Sequence, residues 1–352
     1  MSTPVESQSY YAPEAYHPDR IPEQPDALPR KLLFKLIGTR LPWGNTQEVL
    51  PDNIMADPDP EGMRFWEEVR RKKTEEKTNG TYVPRPFEHL NMHCKHDHEV
   101  ILHAHFPFRS QLWIFLKIFG LGGAAILTPI MGLAHIIATS KIGITVSYRQ
   151  LIEYYSLFTG IPLACGLLGH IVIEYFPKIW LRAPKGPRWE LNRRTGLVTI
   201  FDYKDFKKTG KIGEFTAPFY EFDAYIITSP DRQGSAMNGL SLAHRYSDKG
   251  MNFNGIIVPD NTTHMPCALW DFFQNFMDIS RPLPDIPVHE AHRHLDPVTA
   301  EYDQKTSRDP RYWIDMDNDI FKAKLKEMRK RYNDIDTFRR VNLMLKHVKY
   351  ID

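Results

Sequence analysis

The sequence predicts an α+β membrane protein, a two-helix transmembrane hairpin plus an antiparallel β domain, and three observations predict it. Two apolar stretches, about Leu112 to Ala138 and about Leu151 to Phe176, can each cross a hydrocarbon layer of roughly 30 Å at about 1.5 Å per residue. After Pro184 the pattern changes to short β-prone runs separated by turn residues. The average composition is nonetheless that of a water-soluble protein, with 42% apolar and 25% charged residues and a mean hydropathy of −0.42. The membrane content is therefore local.

A chain of 352 residues suggests two to three folding units. A net charge of +2 argues against a nucleic-acid binder, which carries a clustered basic surplus. Cys94, Cys165 and Cys267 are too scattered for a disulfide framework and suit a reducing compartment. The N-terminus lacks the basic patch and apolar core of a secretory signal. It holds Pro4, Pro13, Pro18, Pro22, Pro25 and Pro29 among polar residues, so residues 1–58 are expected to be disordered or extended.

Residues 59–110 form the next segment. Asp59 reads as an N-cap, with Pro60 and Glu61 in the first turn and Met63, Trp66 and Val69 on one face of a helix ending before Asn79-Gly80. A short strand follows at Val100 to Leu102. In the hairpin, residues 111–177, the first span holds one ionised group, Lys117, near its start, where it can reach the headgroups. The second carries Glu153 and Glu174 near opposite ends. Soluble core helices rarely extend past about 18 apolar residues, which favours the membrane. Lys178, Arg182, Lys185, Arg188, Arg193 and Arg194 follow the second span. They outnumber Lys95 and Arg109 before the first and Lys141 and Arg149 in the loop, so both termini are expected in the cytoplasm of a bacterial inner membrane. Trp113, Tyr154, Tyr155, Tyr175 and Trp180 fall at the expected interfaces.

Gly120-Leu121-Gly122-Gly123-Ala124-Ala125 matches a dinucleotide-loop spacing, but it lies inside an apolar helix with no strand before it. Close helix packing is the better reading. Gly120, Gly122 and Ala124 would supply small faces on the first helix, and Gly160 with Ala164, and Cys165 with Gly169, the matching ones on the second. Pro129 and Pro162 should kink the spans or free a carbonyl. Residues 185–281 then read as a β-rich domain. It has a Trp189–Asn192/Leu197–Phe201 hairpin turned by Gly196, strands in GEFTAPFYEFDAYIITS, LSLAHRYS and NFNGIIVP, and a helix from Cys267 to Ile279. Strands closed by one helix are the order of a pleckstrin-homology-like barrel. Residues 282–352 read as a proline-rich linker and two helices, from about Asn318 to Tyr332 and from about Thr337 to Lys349.

Two histidine-rich stretches invite a metal reading. His93, Cys94, His96, His98, His103 and His105 carry ligand types, but no closed zinc motif has their spacing, so metal binding is not the favoured reading. His289-Glu290-Ala291-His292-Arg293-His294 lacks the four-residue histidine spacing of a metalloprotease helix and reads as solvated linker. His170 and Glu174, four apart in the second span, are an intramembrane polar pair. Lys178 is a ready partner for Glu174, although an ion path is the alternative. No nucleophile elbow, phosphate loop or kinase signature is present in the sequence, and a non-catalytic, cofactor-free protein is expected.

The stretch WELNRRTGLVTIFD, then FYEFDAYI, LAHRYS, ALWDFFQNFMDISRPLPDIP and HLDPVTAEYDQKTSRDPRYW, resembles a proteobacterial family of two-pass inner-membrane proteins associated with type VI secretion effectors. Its most specific part is Arg281 to Met316. The resemblance implies an immunity or accessory protein that neutralises an effector by direct contact, through either the hairpin or the β domain with its aromatic helix. The partners implied are a cognate toxin, the lipid bilayer and further copies of the chain. A small oligomeric ion channel or transport accessory protein is the alternative.

Overall fold

The computed structural model describes residues 10–29, 32–56, 58–84, 95–104, 107–140, 143, 147–182 and 184–351. In chain order the strands are β1 (Gly38–Arg40), β2 (Lys95–His96), β3 (Val100–His103), β4 (Trp189–Asn192), β5 (Leu197–Asp202), β6 (Gly213–Pro218), β7 (Phe222–Pro230), β8 (Ala236–His244) and β9 (Gly250–Asn252). The helices of eight residues or more are α1 (Pro60–Thr78), α2 (Phe108–Ser140), α3 (Tyr148–Tyr155), α4 (Ile161–Tyr175), α5 (His264–Met277), α6 (Pro297–Thr306) and α7 (Asn318–Asn333). The chain forms two compact units. A sheet unit takes Met1–Tyr82, His93–His103 and Pro187–Asp352, and a hairpin unit takes Val83–Met92 and Ala104–Gly186.

The sheet unit has two antiparallel sheets, ordered β1-β7-β8-β9 and β2-β3-β4-β5-β6. The expected β4–β5 hairpin forms, and Gly196 takes a φ of +70° at its turn. In NFNGIIVP only Asn252 belongs to a strand, and the chain turns after Phe253, where the Ile256 N–H donates to the Phe253 carbonyl. The five-stranded sheet is not contained in residues 185–281, because β2 and β3 come from before the first span. His103 at the end of β3 stands opposite Trp189 at the start of β4. The Ala104–Gly186 part of the hairpin unit is thus an insertion between two paired strands.

Apolar side chains of both sheets and α5 share one core. The Trp43 and Trp270 rings meet edge to face at 4.8 Å, and each indole N–H donates to a backbone carbonyl, of Phe222 and Pro42 respectively. From Tyr10 on, the described residues before Asp59 are not disordered, and besides extended stretches they include strand β1 and short helices at Leu32–Ile37 and Asp52–Ala56. Tyr16, Leu41 and Trp43 are buried, and the Ala12 N–H donates to the Arg194 carbonyl. Proline explains the misreading: it fixes φ and brings no N–H to satisfy, so an extended proline-rich strip can lie on a core at little entropic cost.

Two further expectations are corrected. RPLPDIP is not a free linker, since Leu283 and Ile286 are buried. The predicted helix from Thr337 to Lys349 is, in the structure, one 3-10 turn, Leu343–Lys346. The N-terminal strip supplies hydrogen bonds that hold this tail extended. Trp43 N–H donates to Asn342 Oδ1, Leu343 N–H to the Trp43 carbonyl, and Ala27 N–H to the Lys349 carbonyl. Of the predicted apolar face, Phe338, Val341 and Leu345 consequently stay exposed, while Val348 is buried. The α1 and α7 expectations hold, with Asp59 and Asp317 accepting first-turn N–H groups as N-caps.

In the hairpin unit, Phe108–Ser140 and Tyr148–Tyr175 are each long and apolar enough to cross a membrane. Only 11% and 22% of their most apolar windows are buried, unlike the core helices of a soluble protein. Pro129 lies within α2. Pro162 follows a wide π turn, Ser156–Gly160, in which the Ile161 N–H bonds back to the Ser156 carbonyl. The missing proline N–H is absorbed there by a local change of pitch.

Candidate functional site

The packing seam of the hairpin unit is built from glycine. A Cβ added at Gly120 would collide with the Gly166 backbone and stand 2.8 Å from the Pro162 carbonyl oxygen. One added at Gly166 would lie 2.5 Å from Leu121 N, and one at Gly169 2.6 Å from Lys117 N. Gly120 and Gly169 of the predicted faces are therefore in the seam, and Ala124 is buried. Gly122, Gly160 and Ala164 are not brought into it. A Cβ at Gly122 meets nothing within 4 Å, Gly160 has only its own helix's Tyr155 nearby, and Ala164 is exposed. At 3.6 residues per turn Gly122 sits about 200° around from Gly120, and Ala164 the same angle from Gly166.

Glu174 pairs with Lys117 of the facing helix at 2.6 Å, not with Lys178. The helix ends at Tyr175 before Pro177, so the four-residue spacing to Lys178 no longer marks neighbouring positions. His170 is part-buried one turn before Glu174. Lower in the same seam Thr128 Oγ1 donates to the Ala124 carbonyl and lies 3.3 Å from Thr159 Oγ1.

In the sheet unit the two histidine-rich stretches, distant in sequence, meet. His96 Nε2 lies 2.9 Å from His289 Nε2, and His289 Nδ1 lies 2.9 Å from the Pro284 carbonyl oxygen. A carbonyl only accepts, so Nδ1 of His289 carries its proton and donates; His96 Nε2–H then donates to the bare His289 Nε2. Phe272 and Phe276 flank both rings. His98 stacks on His292 with ring centroids 6.1 Å apart. The His289–His294 stretch is thus not solvated linker. His289, Glu290 and Arg293 are buried, and Glu290 accepts from the Trp313 N–H and pairs with Arg308.

Of the metal candidates, His93 and Cys94 lie outside the described residues, as does His105. Among the described residues no group of three or more histidine, cysteine, aspartate or glutamate side chains is arranged to hold a metal ion. The histidine pairs act as polar joints between the β2–β3 segment and residues 287–293.

Burial pushes His96 down to about 4 and holds His289 well below the ordinary histidine range. Both rings are neutral in the fold, whereas the unfolded chain takes up protons from about pH 6.5 downward. The stability of the neutral pair is therefore fully present above pH 6.5 and is lost as pH falls toward 4. For His96 alone the loss is on the order of 3 kcal/mol. Thermal unfolding followed between pH 7 and 4.5 should shift steeply downward in the wild type and less in His96→Gln. Equal slopes would remove the pair from the account.

Buried charges tie the sheet unit together. Arg193 Nε is 3.1 Å from Asp296 Oδ1, Arg245 Nη2 is 2.7 Å from Asp223 Oδ1, and Arg340 Nη1 is 2.7 Å from Asp271 Oδ1. Arg193 is thus a core residue at the β4–β5 turn and not a solvated charge beside the membrane. The predicted aromatic docking helix, α5, is likewise interior, with Phe272, Phe273 and Phe276 buried. What α1 leaves outside is an aromatic pair: Phe65 and Trp66 are 59% and 51% exposed, with ring centroids 5.3 Å apart. No protein-family model, curated protein or solved structure matches this chain.

Proposed function

We propose that this chain is a bacterial inner-membrane protein that acts by binding, an immunity or accessory protein that holds a secreted effector through its sheet unit. The observation that carries the reading is the insertion of the two apolar helices between paired strands β3 and β4. Paired strands cannot lie on opposite sides of a bilayer. Two spans between them would leave strands β3 and β4 on one side, which supports both termini on that side, and the lysine and arginine distribution favours the cytoplasm. The order of β3–β6, then β7–β9, then α5 is compatible with the pleckstrin-homology-like reading, at the level of architecture alone.

Of the two contact modes, the sheet unit is favoured. Gly120 and Gly169 are already used inside the hairpin, so its close-packing face is not free for a toxin helix. Phe65 and Trp66 offer an exposed anchor of the kind that dominates protein interfaces. The Lys117–Glu174 pair favours a packed hairpin over the channel alternative.

The test is affinity capture of the tagged chain from detergent-solubilised membranes of its host, with mass spectrometry of what accompanies it. One effector should be recovered, and Phe65→Ser with Trp66→Ser should weaken its binding at least about thirtyfold. Recovery of the chain alone as a defined oligomer would overturn this reading and direct flux assays to Glu174→Gln.

A further inference from the structure

The sheet that carries the inserted helices has a basic loop at the same end. Strand register places it there. His103 and Ile200 both pair with Trp189, and Asp202 pairs with Gly213. The end of β3, where the chain leaves the sheet unit, the start of β4, where it comes back, and the β5–β6 connection therefore share one edge of the sheet. Two bonds pin the base of that connection to the returning chain. The Tyr203 hydroxyl donates to the Pro187 carbonyl at 2.8 Å, and the Phe201 N–H donates to the Arg188 carbonyl at 3.0 Å.

The connection itself, residues 203–212, reads YKDFKKTGKI. It holds Lys204, Lys207, Lys208 and Lys211 against a single acid, Asp205, with Asp202 and Glu214 on the flanking strands. Lys204, Lys208 and Lys211 are exposed, as is Ile212. A one-turn helix, Phe206–Thr209, is closed by Gly210 in the left-handed region at φ +68°, so the loop has a defined shape. Lys204 has only a marginal partner, Asp202 at 4.0 Å.

We propose that this loop binds the anionic phospholipid headgroups of the bilayer that α2 and α4 cross. The inference rests on the membrane-spanning reading above. Only four residues, 104–107, separate the last residue of β3 from the first of α2, so a short tether of the chain joins this edge of the sheet to the start of the span. Lysines held there meet the negative surface potential of an anionic leaflet, and an isoleucine beside them can reach the headgroup layer. The loop would then set the tilt of the sheet unit on the membrane, leaving the exposed face of α1 for a protein partner.

The experiment uses the full chain in nanodiscs of phosphatidylcholine with or without phosphatidylglycerol. Lysine acylation by an uncharged reagent is read residue by residue by mass spectrometry, with the lysines of α7 as baseline. Lys204, Lys207, Lys208 and Lys211 should react roughly fivefold more slowly in the anionic discs, and high salt should abolish the difference. Equal rates in both lipids would overturn the proposal and leave the loop to an acidic protein partner. Extraction from phosphatidylcholine vesicles by alkaline carbonate tests the spanning reading separately. Protein that stays in the vesicles while its loop reacts equally in both lipids refutes the loop proposal alone.

Discussion

Replacing Asp296 with alanine should cost the sheet unit about 3–5 kcal/mol, because it strands a buried guanidinium. Arg193 is fully buried. Its Nη1 donates to the carbonyls of Phe276 and Asp278 at 2.6 and 2.8 Å, its Nη2 to that of Arg281 at 2.7 Å, and its Nε to Asp296. The carbonyls satisfy its donors but only Asp296 balances its charge. Asp296 also accepts from the Tyr11 hydroxyl at 2.5 Å, from Thr299 Oγ1 at 2.5 Å and from Thr299 N–H at 3.1 Å, where it caps α6. One carboxylate therefore joins the N-terminal strip, the β4–β5 turn and α6. Burial opposes ionisation, but the effects led by the Arg193 guanidinium outweigh it and hold the Asp296 pKa below the ordinary aspartate range. Denaturant titration of the detergent-solubilised chain should show the loss as a lower midpoint. The double change Arg193→Met with Asp296→Leu should recover part of it, since a buried pair removed together leaves no orphan charge. An Asp296→Ala midpoint indistinguishable from wild type would show that the pair is not a keystone.

Arg193 also shows where reading the sequence stops. Much that neighbours along the chain set was legible: the Asp59-Pro60 start of α1, the two spans, Gly196 at a hairpin turn and the apolar periodicity of α5. These depend on φ preferences, caps and local patterning, which a few residues determine. Partners far apart in sequence were not legible. Arg193 finds Asp296 across 103 positions, His96 finds His289 across 193, and Trp43 finds Asn342 across 299. A polar residue destined for a buried pair looks, by itself, like a solvated one, which is why Arg193 was counted with the membrane-flanking charges and His289 with a linker. The hairpin seam fell between these cases. Small residues marked both helices, but the phase between them depends on a π turn that only the backbone geometry around Pro162 reveals.

That phase yields a contrast between two glycines in the hairpin unit. Gly166→Leu should disrupt the pairing of α2 and α4, because its Cβ would already lie 2.5 Å from Leu121 N and 2.8 Å from Leu121 Cγ. Backbone cannot rotate aside as a side chain can, so the helices must separate. Overpacking of this kind typically costs about 1–3 kcal/mol, and a leucine on backbone belongs at the upper end. Separation would also pull Lys117 from Glu174, leaving both charges without their partner in an apolar setting. Gly122→Leu, in the same helix as Gly120 but with open space around it, should be tolerated, as one more apolar side chain on an outward face. The temperature at which the detergent-solubilised chain aggregates should fall for Gly166→Leu and stay near wild type for Gly122→Leu. The reverse order would mean that the seam runs through Gly122, as the small-residue pattern of the sequence predicts. If the Gly166→Leu chain also keeps the effector proposed above while losing hairpin stability, the proposed contact lies in the sheet unit and the helices serve as anchor.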